Sequence, residues 1–417
     1  APRRRGTQSA AGAIPEKRKK KKVPPLPRPA GGRFARGGAG GKPEKGGGSA
    51  LRIVDFSARL PYNVQEKSCA WRTGEIMDAE EMKKIMQENN AFRLSDDRYK
   101  KLEYRRAGKS GLKLSEVSMG LWQNFGSNNV YEVMRNLILT AFDGGVTVFD
   151  IANNYGPVAG AAERNFGSIL ARDLASHRDE LIVTTKAGYG AWRGPYGEGN
   201  GGRKHLFASL DRSLKNLGVE YVDIFYHHRP DPDTPIEETC YALKQMVDAG
   251  KVLYIGISNY TCEQTKAAVA CLRELKAPFV LSQMSYSIFD RSVETSGLKA
   301  FAHENGFALT AYSPLAQGLL TDRYRNGIPE GSRMSRNGFL KKDRLTEETV
   351  RKIDALRGIA QNRGQTLAAM ALSWVLKDED VASVIIGASS AAQIRENLQL
   401  NTSFTQEELA AIDAASL

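Results

Sequence analysis

The chain has 417 residues, 41% of them apolar and 8% aromatic. That is enough for one large core or two ordinary ones, and it excludes a peptide-sized or wholly disordered protein. The formal net charge of +12 comes from 59 Lys and Arg against 47 Asp and Glu. Residues 1–48 hold 14 basic side chains and two acidic ones, Glu16 and Glu44, so the whole excess sits there and the rest of the chain is neutral.

Residues 1–50 read as a basic arm. Its first 48 residues carry eleven glycines and seven prolines beside the runs Arg3-Arg4-Arg5 and Lys17 to Lys22. So little apolar surface cannot offset the entropy of ordering, and a coil is expected when the arm is alone. Clustered Lys and Arg attract phosphates, which makes RNA in a large complex the leading expectation for an acidic partner. A solubilising or targeting tail without a specific partner is the competing reading. The Arg-rich, acid-poor start also resembles an organelle transit segment, and both the cytoplasm and an organelle matrix such as the mitochondrion stay open.

Residues 51–103 form an adaptor-like segment with apolar and aromatic residues (Leu51, Ile53, Val54, Phe56, Trp71) and a short helical pattern over 78–88, where Met82, Ile85 and Met86 recur at i, i+3, i+4. The pattern leaves open whether the segment packs on the body or on a neighbour. The cysteines (Cys69, Cys240, Cys262, Cys271) show neither CxxC spacing nor a dense framework. That argues against a zinc site or disulfide scaffold and for a reducing compartment. No stretch approaches the roughly 18 uncharged apolar residues of a membrane span, so a soluble protein is expected.

From residue 104 to 417 short β-branched runs alternate with amphipathic stretches. Strands are predicted at 117–120, 147–151, 181–186, 222–228, 252–258, 279–284, 308–314 and 381–387. Helices between them include 130–142, with Val133, Met134, Leu137, Ile138 and Ala141 on one side, and 205–217, with Leu206, Leu210, Leu214 and Leu217. Eight such units predict an α/β fold, a (β/α)8 TIM barrel. A doubly wound sheet is the runner-up, but no Gly-rich dinucleotide fingerprint follows Gly120.

Functional groups of such a barrel stand at the C-terminal ends of its strands. Asp150 closes the second run and Tyr155 follows it; Lys186 closes the third; His227-His228 close the fourth. A carboxylate, a phenol, an ammonium and an imidazole then face one mouth. A phenol is a poor proton donor at neutrality unless a cation stabilises its phenolate, and Lys186 is placed to supply that cation, balanced by Asp150. The quartet suits proton delivery to a carbonyl oxygen. The bland readings are a strand-end cap for Asp150, a solvated terminus for Lys186 and a satisfied core residue for one histidine.

The segments Phe149-Asp150-Ile151-Ala152-Asn153-Asn154-Tyr155-Gly156, Thr184-Thr185-Lys186 and Tyr221 to Asp231 resemble the aldo-keto reductase superfamily. The likeness covers roughly 104–417. It is greatest to the branch of bacterial L-glyceraldehyde-3-phosphate reductases and potassium-channel β-subunits. It implies Tyr155 as general acid, Lys186 lowering its pKa, Asp150 pairing with Lys186, and His228 orienting the substrate carbonyl. His228 precedes Arg229-Pro230-Asp231 as the family's histidine does, while His227 should point the other way from a strand.

The resemblance also implies that Ser258, Asn259 and Gln283 hold a nicotinamide carboxamide and that Tyr312 stacks under the ring. Ser313, Pro314, Leu315, Gln317 and Gly318 would close on the pyrophosphate. Gly387, Ser389, Gln393, Glu396 and Asn397 would surround the adenosine phosphate at a helix start. Arg323 and Arg333 match basic positions that favour NADP(H) over NAD. Trp122 and Trp192 are expected at the substrate pocket, where packing anchors are the alternative.

Two classes of function follow from these readings. One is NADPH-dependent reduction of small aldehydes or ketones, phosphorylated ones included. The other is a reductase fold recruited as a structural subunit of a large assembly, ribonucleoprotein or ribosome-like, anchored by the basic extension. Channel β-subunit behaviour is a third, carried by likeness alone. The pattern leaves the oligomeric state open.

Overall fold

The computed structural model describes residues 94–416, apart from 326, 331, 333 and 336–339. The arm, the pattern over 78–88 and Arg333 lie outside the described residues.

A hairpin of β1 (Tyr104–Arg106) and β2 (Lys113–Ser115) precedes the barrel. Then come β3 (Val117–Gly120), α1 (Tyr131–Asp143), β4 (Val148–Asp150), α2 (Ala161–Asp173), β5 (Ile182–Ala187), α3 (Arg203–Leu217) and β6 (Val222–His227). The chain continues with α4 (Ile236–Asp248), β7 (Val252–Ser258), α5 (Cys262–Glu274), β8 (Phe279–Ser285), α6 (Ser292–Thr295), α7 (Leu298–Asn305) and β9 (Ala308–Tyr312). It ends with α8 (Glu347–Asn362), α9 (Leu367–Val375), β10 (Val381–Ile386), α10 (Ala391–Asn397) and α11 (Gln406–Ser416). Strands β3 to β10 pair in parallel, and β10 returns to β3, so the sheet closes into an eight-stranded barrel. The expected (β/α)8 fold is present.

Local chemistry explains these elements. Helix α5 starts at a capping box, in which Gln264 N donates to Thr261 Oγ1 and Thr261 N donates to Gln264 Oε1. Helix α3 buries Leu206, Leu210, Leu214 and Leu217 as its spacing predicts, and stops at Gly218 with φ +69°. Helix α1 corrects one detail. Met134, Leu137, Ile138 and Ala141 are buried, but Val133 is 50% exposed: it keeps the i, i+4 spacing to Leu137 yet lies at the edge of the stripe, a quarter turn or so from its centre.

The hairpin was not anticipated. Its Ala107 and Leu114 pack with Val148, Ile182, Val280 and Ala308 near the strand starts, closing the N-terminal end of the barrel. Residues 94–103 pack on the body: Ser95 N donates to Asp143 Oδ1, Arg98 pairs with Glu180, and Leu102 enters the core. With the N-terminal end filled, the open end is the C-terminal one.

Candidate active site

Inward-facing residues alternate along each strand, so Thr184 and Lys186 on β5 share a face, as do Tyr226 and His228 across the end of β6. Lys186 is fully buried, over the ring of Tyr226 at 5.8 Å. Gly256 makes room for that ring, since a Cβ there would stand 2.3 Å from it. The barrel interior thus lifts the lysine stem toward the mouth.

The Lys186 ammonium donates to Asp150 Oδ2 at 2.5 Å, to the Ile151 carbonyl at 2.8 Å and to the Tyr155 hydroxyl oxygen at 3.4 Å. Asp150 Oδ1 accepts from Thr184 Oγ1 and from Gln283 Nε2, both at 2.9 Å. The carboxylate is therefore fully engaged, as a buried charge must be. Because the phenol oxygen accepts from the ammonium, its own O–H is directed elsewhere. The ring of Tyr155 meets that of His228 at 5.9 Å in an edge-to-face arrangement, and Trp122 lies 6.3 Å from Tyr155. Asp150, Tyr155, Lys186, His228 and Trp122 are brought together.

Burial sets the resting electrostatics of the phenol and the ammonium. Burial, followed by Asp150, Tyr312 and Tyr189, holds the Tyr155 pKa well above the ordinary phenol value. Burial lowers that of Lys186 against the opposing pull of Asp150. The ammonium is closer to the carboxylate, at 2.5 Å, than to the phenol, at 3.4 Å. The phenol stays fully protonated at neutral pH, and the cation's benefit is reserved for the phenolate when it forms.

His227 points away from Tyr155, its Nδ1 2.5 Å from the Tyr260 hydroxyl, while His228 meets the Tyr155 ring. Burial pushes His227 down to about 4, and burial with the charge of Lys186 pushes His228 well below 6.5. Both are neutral in the folded protein. Unfolded histidines bind protons below pH 6.5, so the unfolded state holds more protons and stability falls as pH drops from 6.5 through the folded values. For His227 alone the loss approaches roughly 3 kcal/mol in strong acid. Urea unfolding of the wild type should show this acid-side loss and His227→Gln should show less of it; parallel pH curves would contradict the assignment.

The expected cofactor residues form a connected network. Ser258 Oγ donates to the Gln283 carbonyl, Asn259 Nδ2 to the His228 carbonyl and Ser258 Oγ, and the Tyr312 hydroxyl to Asn259 Oδ1 at 2.7 Å. Gln283 spends Nε2 on Asp150. After β9, Ser313, Ala316 and Gln317 adopt left-handed φ of 54°, 47° and 59° and Gly318 has φ 103°. Such strain in non-glycine residues clusters at ligand sites. Pro314 and Leu315 pack inward there, and Gln317 Oε1 is buried without a partner.

After β10, Ser390 caps α10, and Ser389 N and Oγ donate to Gln393 Oε1. Gly387 and Glu396 are exposed there and Asn397 is buried. Arg323 is exposed. The left-handed loop after β9, with the unpartnered Gln317 oxygen in it, suits an extended dinucleotide.

Of the two readings open for Trp192, its geometry is that of a packing anchor. It stacks on His205 at 5.1 Å and carries the Arg212 guanidinium at 4.4 Å, so it is packed on α3. Tyr189 instead walls His228, at 4.7 Å and 87°, with Arg229 over its other side. Sequence reasoning missed Tyr189, although it stands directly after Gly188, whose φ of +148° starts the loop. It also missed Thr184, whose i, i+2 spacing to Lys186 was the available signal.

A closed parallel barrel with a buried lysine, a phenol and an imidazole at its C-terminal mouth defines an oxidoreductase-type site, and comparison with known proteins agrees. Residues 116–417 match the Aldo/keto reductase family. L-glyceraldehyde 3-phosphate reductase of Escherichia coli K12 is 53% identical over 323 residues, 76% of this chain and 93% of the relative. A probable voltage-gated potassium channel subunit beta of Arabidopsis thaliana is 38% identical over 305 residues, 72% of this chain and 90% of the relative. Among solved structures, a thermostable aldo-keto reductase in complex with the inhibitor epalrestat superposes with TM-score 0.61 at 28% identity, covering 75% of this chain and all of the other. The holo form of an aldo-keto reductase from Bacillus halodurans gives 0.62 at 26% identity, covering 76% and 97%. The chain belongs to the Aldo/keto reductase family.

Proposed function

We propose that the chain reduces small aldehydes or ketones, phosphorylated ones included, with NADPH as the electron donor. The observation that carries this reading is the Tyr155 hydroxyl oxygen accepting from the buried Lys186 ammonium at 3.4 Å while facing the His228 ring. Ser258, Asn259, Gln283 and Tyr312 would hold the nicotinamide end, and the loop from Ser313 to Gly318, Arg323, Arg333 and the turn from Gly387 to Asn397 would hold the phosphates. When bound, the reduced cofactor supplies the hydride.

The chain's own residues handle the proton. Neutral His228 positions the carbonyl by a hydrogen bond, and its neutrality avoids a second positive charge beside Lys186. Tyr155 transfers its proton to the carbonyl oxygen as negative charge develops there. Lys186 then neutralises the phenolate, while Asp150 keeps the ammonium aimed. Trp122 and Tyr189 narrow the mouth and exclude water. The glyceraldehyde-phosphate reductase likeness supports a phosphorylated aldehyde, and Arg323 and Arg333 support NADP(H). Cofactor oxidation with glyceraldehyde 3-phosphate and with unphosphorylated glyceraldehyde should proceed with NADPH in preference to NADH. Failure with every aldehyde and both cofactors would overturn the reading.

We also infer that the arm of residues 1–50 binds RNA, an association that would let the barrel serve as a subunit of a large assembly. Segregation of the full +12 charge into residues 1–48 supports it. Deleting 1–50 should abolish salt-sensitive RNA retention with kcat unchanged. Equal retention by both forms would refute the arm's role.

A further inference from the structure

Parallel pairing sets Lys186 opposite Tyr226 and Tyr226 opposite Gly256, so the three form one layer across β5, β6 and β7. A Cβ at Gly256 would stand 2.3 Å from two carbons of the Tyr226 ring, so the ring lies in the place a side chain at 256 would take. Its far end is also placed, since Thr310 and Gln283 stand beside the hydroxyl. Interiors of such barrels are usually filled by branched aliphatic residues. The buried cluster that Tyr226 joins follows that rule with Val148, Ile182, Ile224, Val280 and Leu281, and Tyr226 is its one aromatic member among the described buried residues. A leucine would fill the layer; the aromatic ring brings something further.

That something is a π-face beside a charge. The Lys186 nitrogen lies 5.8 Å from the centre of the Tyr226 ring and 5.0 Å from that of Tyr155. A cation within about 6 Å of an aromatic face is attracted by the ring quadrupole, and more strongly when desolvated. Tyr226 is 2% exposed and Lys186 fully buried, so bulk water does not screen the contact. The three protons of the ammonium go to the Asp150 carboxylate, the Ile151 carbonyl and the Tyr155 oxygen. All three acceptors come from β4 and the loop after it. Lys186 stands on β5 between β4 and β6, and the ring is what β6 offers from the other side.

We propose that Tyr226 is a positioning residue for proton transfer, its ring face balancing the pull of the β4 acceptors and fixing the Lys186 ammonium beside the Tyr155 oxygen. This role in turnover rests on the reductase reading, whereas the contact itself does not. Burial lowers the Lys186 pKa, and a π-face opposes that fall because it favours the charged form. The titratable groups facing the ammonium are Asp150 from β4, Tyr155 from the loop after it, and Tyr226 and His228 from β6 and its end. Removing the ring leaves the other three in place.

The test is titration of Lys186 by NMR in the full chain with isotope-labelled lysine, its signal assigned by absence from the Lys186→Met, Asp150→Leu double variant. Tyr226→Leu should lower the Lys186 pKa by about one unit, a tenfold loss of proton affinity, as expected for a desolvated cation–aromatic contact. Tyr226→Phe restores the face and should return the value close to wild type. Trifluorinated phenylalanine at position 226 keeps the size but drains the face of negative charge, so it should fall below Tyr226→Phe, and it decides the matter if Tyr226→Leu does not fold. The alkaline limb of kcat should move to lower pH in the same order, because a deprotonated lysine cannot neutralise the phenolate. Equal Lys186 pKa values with phenylalanine and trifluorophenylalanine would overturn the proposal, since a residue that only fills the barrel responds to size and not to fluorine. A kcat limb that ignores the titration shifts would also overturn it, with the reductase reading intact. Absence of wild-type turnover with every aldehyde would instead overturn that reading, and the lysine titration would still decide the contact.

Discussion

Tyr155→Phe should lower kcat for carbonyl reduction by about 10²–10⁴-fold, the usual worth of a positioned proton donor, and leave NADPH affinity within about twofold of wild type. The substitution removes one oxygen and keeps the ring that packs on Trp122 and His228. It deletes the acceptor 3.4 Å from the Lys186 ammonium, but that ammonium keeps Asp150 and the Ile151 carbonyl, so no buried charge is orphaned. Folding should be nearly unaffected, and a loss of activity then reports on the proton rather than on the scaffold. Because burial holds the phenol protonated, wild-type turnover should also show no alkaline decline near neutrality. Steady-state rates with fluorescence titration of NADPH separate the two effects. Full activity in Tyr155→Phe would assign the proton to another group.

Much of this site was legible before the structure because it depends on strand periodicity. Once β4, β5 and β6 are placed, Asp150, Lys186 and one of the two histidines sit at their ends; alternation sets His227 and His228 on opposite faces, and the resemblance chose His228. What was not legible came from residues whose neighbours are distant in sequence. The hairpin that fills the barrel's lower end reads as a polar stretch with few apolar residues, and its burial is decided by the strand starts it covers. Trp192 and Tyr189 lie three residues apart in one loop, and no period tells which enters the mouth. The direction of the Tyr155 shift was also hidden, since it is set first by burial of the phenol, which depends on residues distant in sequence. Asp150 at 2.5 Å and Tyr155 at 3.4 Å compete for the Lys186 ammonium.

That competition makes Lys186 the position where stability and turnover can be separated. Lys186→Met should abolish turnover, because no cation then meets the phenolate. It should also destabilise the fold by about 3–5 kcal/mol, the usual consequence of stranding one member of a buried ion pair. Asp150 would retain Thr184 and Gln283 as donors, which places the effect toward the lower end. Adding Asp150→Leu to Lys186→Met removes the stranded carboxylate, and a buried pair replaced by apolar groups is often close to neutral. The double variant should therefore recover most of the urea midpoint lost by the single one. Turnover should stay absent in both. A double-mutant cycle measures this directly, since the two residues are in contact and their effects cannot add. If the single variants proved additive in stability, the pair would not be the electrostatic unit described here. If the double variant recovered activity, a charge other than the Lys186 ammonium would be stabilising the Tyr155 phenolate.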